Sequence, residues 1–318
     1  MLLILTNSID GTADILTHLC AERRQPVFRF NIDLWLDYRF AWTPSGFAIR
    51  DPSGRSLDSA EVSACLWRRP SLQETPEWRG GTAEDRTSTE AELHAVVREM
   101  AEWARARGYL RLIDPHAPRR AGRLAQMRVA SEFFSVPDWT VGWGFRLPDG
   151  KRMVKRFVPE AVGPGHNRYI FVQSVDAERL SPEFPWLTQE IGKGTRDATV
   201  LYVNGACFGF EMRRTRSQLS VEDWRTLPDG ELRDWRPWTL PKRIRENITA
   251  CMERLGLRFG RLDFLTGGGE ITFLEVNSNG QFGWLDTPGE WPLHSAVLDA
   301  LLDPASAIRG GEAVNESM

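Results

Sequence analysis

The stretch Gly260-Arg-Leu-Asp263-Phe-Leu265, followed across the turn Thr266-Gly-Gly-Gly-Glu270 by Ile271-Thr-Phe-Leu-Glu275-Val-Asn277-Ser-Asn279-Gly280-Gln281, decides how the chain is read. Both halves are apolar and β-prone, and the glycine run between them predicts a hairpin. Side chains alternate faces along a strand, so Glu275 and Asn277 are expected on one face. Asp263, on the partner strand, can join them across the ladder. Two carboxylates and an amide oxygen would then converge within otherwise apolar strands. Facing carboxylates repel and shift each other's ionisation unless a cation lies between them. Hard oxygen donors of this kind suit Mg²⁺, which takes one or two carboxylates and leaves its other positions to water and phosphate oxygens. The competing reading pairs Asp263 and Glu275 with nearby arginines on a solvated hairpin face.

Around this hairpin, 318 residues at roughly 150 per domain predict two or three lobes. Forty Lys and Arg against 43 Asp and Glu leave a formal charge of −3, without the basic excess of a nucleic-acid binder. No run approaches the ~20 apolar residues of a membrane span, and the apolar start Met1–Leu5 is too short for a secretory signal. Cys20, Cys65, Cys207 and Cys251 stand apart, with no C-x-x-C pair and no neighbouring His at ligand spacing. That argues against zinc and disulfides and for a reducing cytoplasm. Thirteen tryptophans hint at aromatic packing or a peptide groove.

The first 70 residues alternate strand and helix signals. Leu2–Leu5 reads as a buried strand, Thr12 as the N-cap of a helix with the stripe Ile15, Leu16 and Leu19, and Val27–Phe30 as a second strand. Phe47–Arg50 and Ser56–Leu57 flank a turn at Asp51–Gly54, and Ala64–Trp67 is a further strand. This alternation implies an α/β layer with parallel pairing. Thr87 with Glu90 forms a capping box for a helix to Gly108, and a boundary falls near residue 116. A short helix over Gly122–Phe134 follows, then strands at Trp139–Val141, Arg152–Phe157, Tyr169–Val172, Leu187–Ile191 and Thr199–Val203. Asn204-Gly205 is a hairpin turn into Ala206–Met212. Leu240, Ile244, Ile248, Cys251 and Leu255 have helical spacing between Pro241 and Gly256, and Trp291 opens a last helix.

Lys155 lies inside an apolar strand, where an ammonium group is costly unless it meets an anion; the alternative is a rim lysine whose stem snorkels to water. The Gly163-Pro-Gly165 loop could fold over phosphates with its backbone N–H groups, although no P-loop is present. No Ser-His-Asp or Cys-His arrangement stands out. His18 and His94 fall on expected helices, and His116, His166 and His294 are expected at the surface.

In this order, Lys155 in a strand, Leu187-Thr-Gln189-Glu190-Ile191, a hairpin and Asp263 … Glu275-Val-Asn277 resemble the ATP-grasp ligases. Three features narrow the resemblance to the ATP-grasp maturases of ribosomal peptides, the microviridin or graspetide type. They are the opening Ile4-Leu-Thr-Asn-Ser8 with Phe28-Arg-Phe-Asn31, the segment Trp67-Arg-Arg-Pro70, and Asp234-Trp-Arg236 ahead of the C-terminal hairpin. The implied fold is α/β with α+β lobes: a pre-ATP-grasp domain over 1–115, a small central lobe over 116–187, and a C-terminal lobe over 188–318, with ATP sandwiched between the last two. The resemblance implies that Lys155 holds the α- and β-phosphates, that Gln189, Glu190 and Ile191 meet adenine, and that Asp263, Glu275 and Asn277 carry Mg²⁺. Arg236 would sit near the γ-phosphate. The family's second lysine is absent, with Arg123 the nearest candidate and a different grip on phosphate. Its Asp-x-Arg is Asp197-Ala-Thr199 here, so an arginine near the phosphates is missing; Arg196 and Arg213 are the candidates to replace it.

The activity implied is ATP-dependent formation of an acyl phosphate on Asp or Glu side chains of a precursor peptide. Attack by Ser, Thr or Lys would then close ester or amide rings. The partner would be a peptide with a leader and an acidic, hydroxyl- or Lys-bearing core, with a homodimer left open. Arg68 and Arg69 would anchor an acidic side chain of that peptide, or else form an inter-lobe salt bridge. The run Arg213-Arg-Thr-Arg216, with Trp224, Trp235 and Trp238, reads as a peptide groove or as a solvated basic face. The alternatives are a ligase for free amino acids or a protein C-terminus, and a nucleotide-binding protein that has lost catalysis.

Overall fold

The first element, Leu2–Thr6 (β1), is buried along its whole length because its sheet is covered on both faces. Leu2 and Ile4 enter one core, and Leu3 and Leu5 enter another. β1 pairs in parallel with Val27–Asn31 (β2) and Ala64–Trp67 (β6), and β6 with Leu110–Arg111 (β7). Gly11–Glu22 (α1) covers one face through Leu16 and Leu19. Ala83–Ala106 (α2) covers the other through Val97, Met100, Ala101 and Ala104. The parallel α/β layer is as expected; two of its details are not. The cap of α1 is Asp10, whose carboxylate accepts from the Ala13 N–H at 2.9 Å, while Thr12 is buried within the first turn. α2 begins at Ala83, ahead of Thr87. An antiparallel sheet of Arg39–Thr43 (β3), Gly46–Arg50 (β4) and Ser56–Asp58 (β5) adds a strand, β3, whose residues are all exposed.

This computed structural model describes residues 1–72, 83–144, 150–155, 157, 173–176, 178, 180–192, 194–214 and 234–303. The expected strand Tyr169–Val172, the Gly163-Pro-Gly165 loop, His166, Arg216 and Trp224 lie outside them. Two short helices, Ala117–Arg120 (α3) and Arg123–Ala130 (α4), lead into an antiparallel sheet. It comprises Trp139–Gly142 (β8), Lys151–Lys155 (β9), Gln173–Asp176 (β10) and Trp186–Gln189 (β11), in the order β10-β9-β11-β8. β11 ends at Gln189, so Glu190 and Ile191 follow the strand rather than closing it.

The third large sheet is antiparallel throughout. It holds Arg196–Val203 (β12), Ala206–Arg213 (β13), Arg236–Pro237 (β14), Phe259–Gly267 (β15) and Glu270–Asn277 (β16), in the order β14-β13-β12-β15-β16. The β12–β13 turn has Asn204 at φ +46° and Gly205 at +101°, the positive values a two-residue hairpin needs. Lys242–Arg254 (α5) packs on one face of this sheet. Pro292–Leu302 (α6) shares a core with β1 and α1, joining the two ends of the chain. His294, expected at the surface, is fully buried, with Nδ1 2.5 Å from Asp286 Oδ2. Among the described residues no helix is long and apolar enough to cross a membrane.

Candidate active site

Strand parity sorts the chemistry of the C-terminal sheet. Ala198 and Val200 of β12, Leu262 and Phe264 of β15, and Phe273 and Val276 of β16 enter the core beneath α5. The other face receives Thr199 opposite Asp263, Asp263 opposite Glu275, and Arg261 opposite Asn277. Strict alternation would place Phe273 on the same face as Glu275. A bulge between Asp263 and Phe264 prevents this: Leu274 has no cross-strand partner, and Phe273 turns back into the core.

The bulge also supplies an acceptor. The Leu274 carbonyl receives the ammonium of Lys155 at 3.2 Å, which brings the end of β9 to the hairpin. α4 arrives at the same edge. Gln126 accepts from the Val276 N–H at 3.0 Å, and Arg123, three residues earlier on the same helical face, donates to Glu275 Oε2 at 2.5 Å. Burial alone would push the Glu275 carboxyl up, but the charges of Lys155 and Arg123, with hydrogen bonds from Arg123 and Asn277, bring it down to about 2. Glu275 is therefore anionic at neutral pH.

Asp263 has its own ring of donors. Arg261 grips it with Nε at 3.2 Å and Nη2 at 3.0 Å, and Thr199 donates to it at 2.8 Å. The Asn277 amide nitrogen stands 3.3 Å from both carboxylates. A half-turn of that amide would aim its oxygen at the same point. The donor set fits Mg²⁺ by its chemistry: two carboxylates opposed across one ladder and a third hard oxygen two residues on. Among the described residues no cluster of three or more His, Cys, Asp or Glu competes with it as a metal site. Both carboxylates nevertheless hold arginines, so the two readings of the hairpin coexist.

The cluster therefore gathers Asp263, Glu275, Asn277, Lys155 and Arg123. Gln189 lies near it, buried, with its amide donating to the sulfur of Met127 in α4; Glu190 and Ile191 are exposed. Arg213 and Arg236 are not gathered. Arg236 pairs in register with Glu211, Glu211 with Ala198, and Arg213 with Arg196, so all sit at positions of the opposite face. There Arg236 binds Asp234 at 2.5 Å and Arg196 binds Glu211 at 3.0 Å. The Asp234-Trp-Arg236 residue that faces the site is Trp235, stacked edge-on to Trp284, which in turn lies under the Arg261 guanidinium. Arg214, from the basic run Arg213-Arg-Thr-Arg216, takes Asp197 with two bonds of 2.6 Å.

Arg68 follows the second of its two readings. It is 1% exposed, pairs with Asp10 and donates to Thr12, Asn279 and Gly280, so it ties the N-terminal sheet to the turn after the C-terminal hairpin. Arg69, exposed and at φ +47°, remains at the rim. Arg261 was readable as Arg-x-Asp on one strand face; Gln126 had no sequence signal, because its partner Val276 lies 150 residues away, and neither did the bulge at Leu274.

No family model matches the chain, and no curated protein matches it. Solved structures do, and they define the class of fold. The chain is similar to a RiPP-associated ATP-grasp ligase of Chryseobacterium gregarium in complex with ADP and a leader and core peptide (TM-score 0.81, 19% identity, 95% of this chain and 96% of that one). It is also similar to the macrocyclase MdnC of Microcystis aeruginosa, bound with the precursor peptide MdnA (TM-score 0.78, 21% identity, 95% and 99%). A D-alanine–D-alanine ligase of Bacillus anthracis matches over 98% of each chain at TM-score 0.54 and 12% identity. The chain thus has the ATP-grasp fold, as its sequence led one to expect.

Proposed function

We propose that the chain is an ATP-dependent ligase that modifies a precursor peptide. It would phosphorylate Asp or Glu side chains and let a Ser or Thr hydroxyl or a Lys amine close ester or amide rings. The observation that carries this is the convergence of Lys155 and Arg123, from the central segment, on the Asp263–Glu275–Asn277 face of an ATP-grasp fold. Resemblance to two peptide-modifying ligases over nearly their whole length, against the weaker match to D-alanine–D-alanine ligase, supports a peptide over free amino acids.

In the reaction, a carboxylate oxygen attacks the γ-phosphorus and ADP leaves. The hydroxyl or amine then attacks the acyl carbon, expelling phosphate and losing its proton. Two anions must approach each other, so the site must supply positive charge. Lys155 and Arg123 do this from the chain, at the phosphates. Asp263, Glu275 and Asn277 would hold Mg²⁺, which offsets phosphate charge when bound. Gln189, Glu190 and Ile191 would flank adenine, at the end of β11. In this reading the lobes divide at 115 and 187, the enzyme works in the cytoplasm, and Arg69 would meet an acidic side chain of the peptide.

The test is ADP release with ATP and Mg²⁺ in the presence of a leader-bearing peptide or of free amino acids. Release that needs the peptide, with loss of one water mass per ring, is the expected result. Release with amino acids alone, or nucleotide binding without ADP across a broad peptide panel, would refute the peptide ligase.

A further inference from the structure

Arg68 spans two parts of the molecule. On the N-terminal side its Nε is 3.3 Å from Asp10 and its Nη2 donates to Thr12 at 3.2 Å. Asp10 is itself held as the cap of α1. On the C-terminal side Nη1 donates to the Asn279 carbonyl at 3.0 Å, to Asn279 Oδ1 at 2.5 Å and to the Gly280 carbonyl at 3.4 Å. Burial pulls the guanidinium down to about 10, with Asp10 opposing, so it stays charged at neutral pH.

A buried ion pair is a poor source of stability, because desolvation offsets most of its attraction. What a planar, multiply donating guanidinium supplies is direction. Here it is aimed at the turn that leaves the carboxylate hairpin. The Gly280 N–H donates to the Asn277 carbonyl at 3.0 Å and closes that turn. A Cβ on Gly280 would stand 3.0 Å from Arg261 Cβ and 3.1 Å from Asn277 Cβ. The turn's backbone therefore rests on the stems of two site side chains, and shifting it shifts them.

We propose that Arg68 is a positioning residue of the cation and phosphate site: from the N-terminal lobe it holds the Asn279–Gly280 backbone, and so sets where Asn277 and Arg261 present their polar groups. The N-terminal lobe is then part of the site's second layer and not only a neighbour. This rests on the nucleotide reading above.

Three variants test it. Asn279→Ala removes one acceptor and leaves the Asp10–Arg68 pair intact. Arg68→Lys keeps the charge without the fork, and Arg68→Met removes both. The full chain is titrated with a non-hydrolysable ATP analogue by calorimetry over a Mg²⁺ series, alongside thermal melting and ADP kinetics. Asn279→Ala is expected to melt within about 2 °C of wild type. It keeps the two carbonyl bonds, so its Mg²⁺ half-saturation and nucleotide Kd should rise only about three-fold, the scale of one lost side-chain hydrogen bond. Arg68→Lys should shift them in the same direction and further, with kcat less affected than the Mg²⁺ requirement. Wild-type binding in both Asn279→Ala and Arg68→Lys, or lowered melting with unchanged binding, would overturn the positioning role and leave the functional reading standing. A wild-type protein that binds no nucleotide with Mg²⁺ would remove both.

Discussion

The two faces of the C-terminal sheet come from the same strands and differ by one residue of parity. Toward α5, Val200, Leu262, Phe264, Phe273 and Val276 form a closed apolar layer with almost no exposure. On the other face Thr199 and Arg261 are buried, Asp263, Glu275 and Asn277 are partly covered, and all five are tied together by hydrogen bonds. The first face supplies stability through buried area, which tolerates no polar group without a partner. The second keeps charges close together, which makes it a poor source of stability and a good one of chemistry. The bulge at Leu274 lets one strand serve both faces, since it returns Phe273 to the core while Glu275 stays outside.

Each part of this contrast can be broken separately. The largest effect is expected from Phe264→Ala, which empties a 1%-exposed site between Phe134 and Phe273. It should cost about 3–5 kcal/mol in urea unfolding, with little change in ADP formation per folded molecule. Glu275→Gln should act chiefly on the chemistry: ADP formation falls about 10²–10³-fold, while unfolding free energy drops by about 1–3 kcal/mol because Arg123 and Lys155 lose their anion. If Glu275→Gln turned over normally, or unfolded the protein as Phe264→Ala does, the division of labour between the faces would be wrong. Deleting Leu274 is the smallest and sharpest change. It leaves a continuous register, Phe264 to Phe273 and Asp263 to Glu275, but takes away the carbonyl that seats Lys155. The variant should fold and bind nucleotide about ten-fold more weakly, the scale of one hydrogen bond from a charged donor. Unchanged calorimetric affinity would mean that the bulge serves packing alone.

Much of this was legible beforehand. The parallel layer, the Asn204-Gly205 turn and the glycine-turned hairpin all rest on local signals, namely apolar runs, turn residues and period-2 alternation. The convergence of Asp263, Glu275 and Asn277 follows from alternation plus pairing, so it too could be anticipated. The cap at Asp10 was misread because two residues of capping type, Asp10 and Thr12, lie within one turn. His294 was misread because its partner, Asp286, belongs to the loop before α6 and satisfies it in the interior.

The arginines mark the limit. From the sequence alone came the strands, their faces and the polar triad, because main-chain geometry converts residue order into sidedness. Where each guanidinium goes was decided only in three dimensions: Arg236 and Arg213 to the far face, Arg123 from α4 onto Glu275, Arg261 onto Asp263 and Arg68 into the interior. A long charged side chain has no periodic signature. Its place is set by whichever anion or carbonyl the fold brings within reach, and for Arg68 and Arg123 that partner lies 211 and 152 residues away.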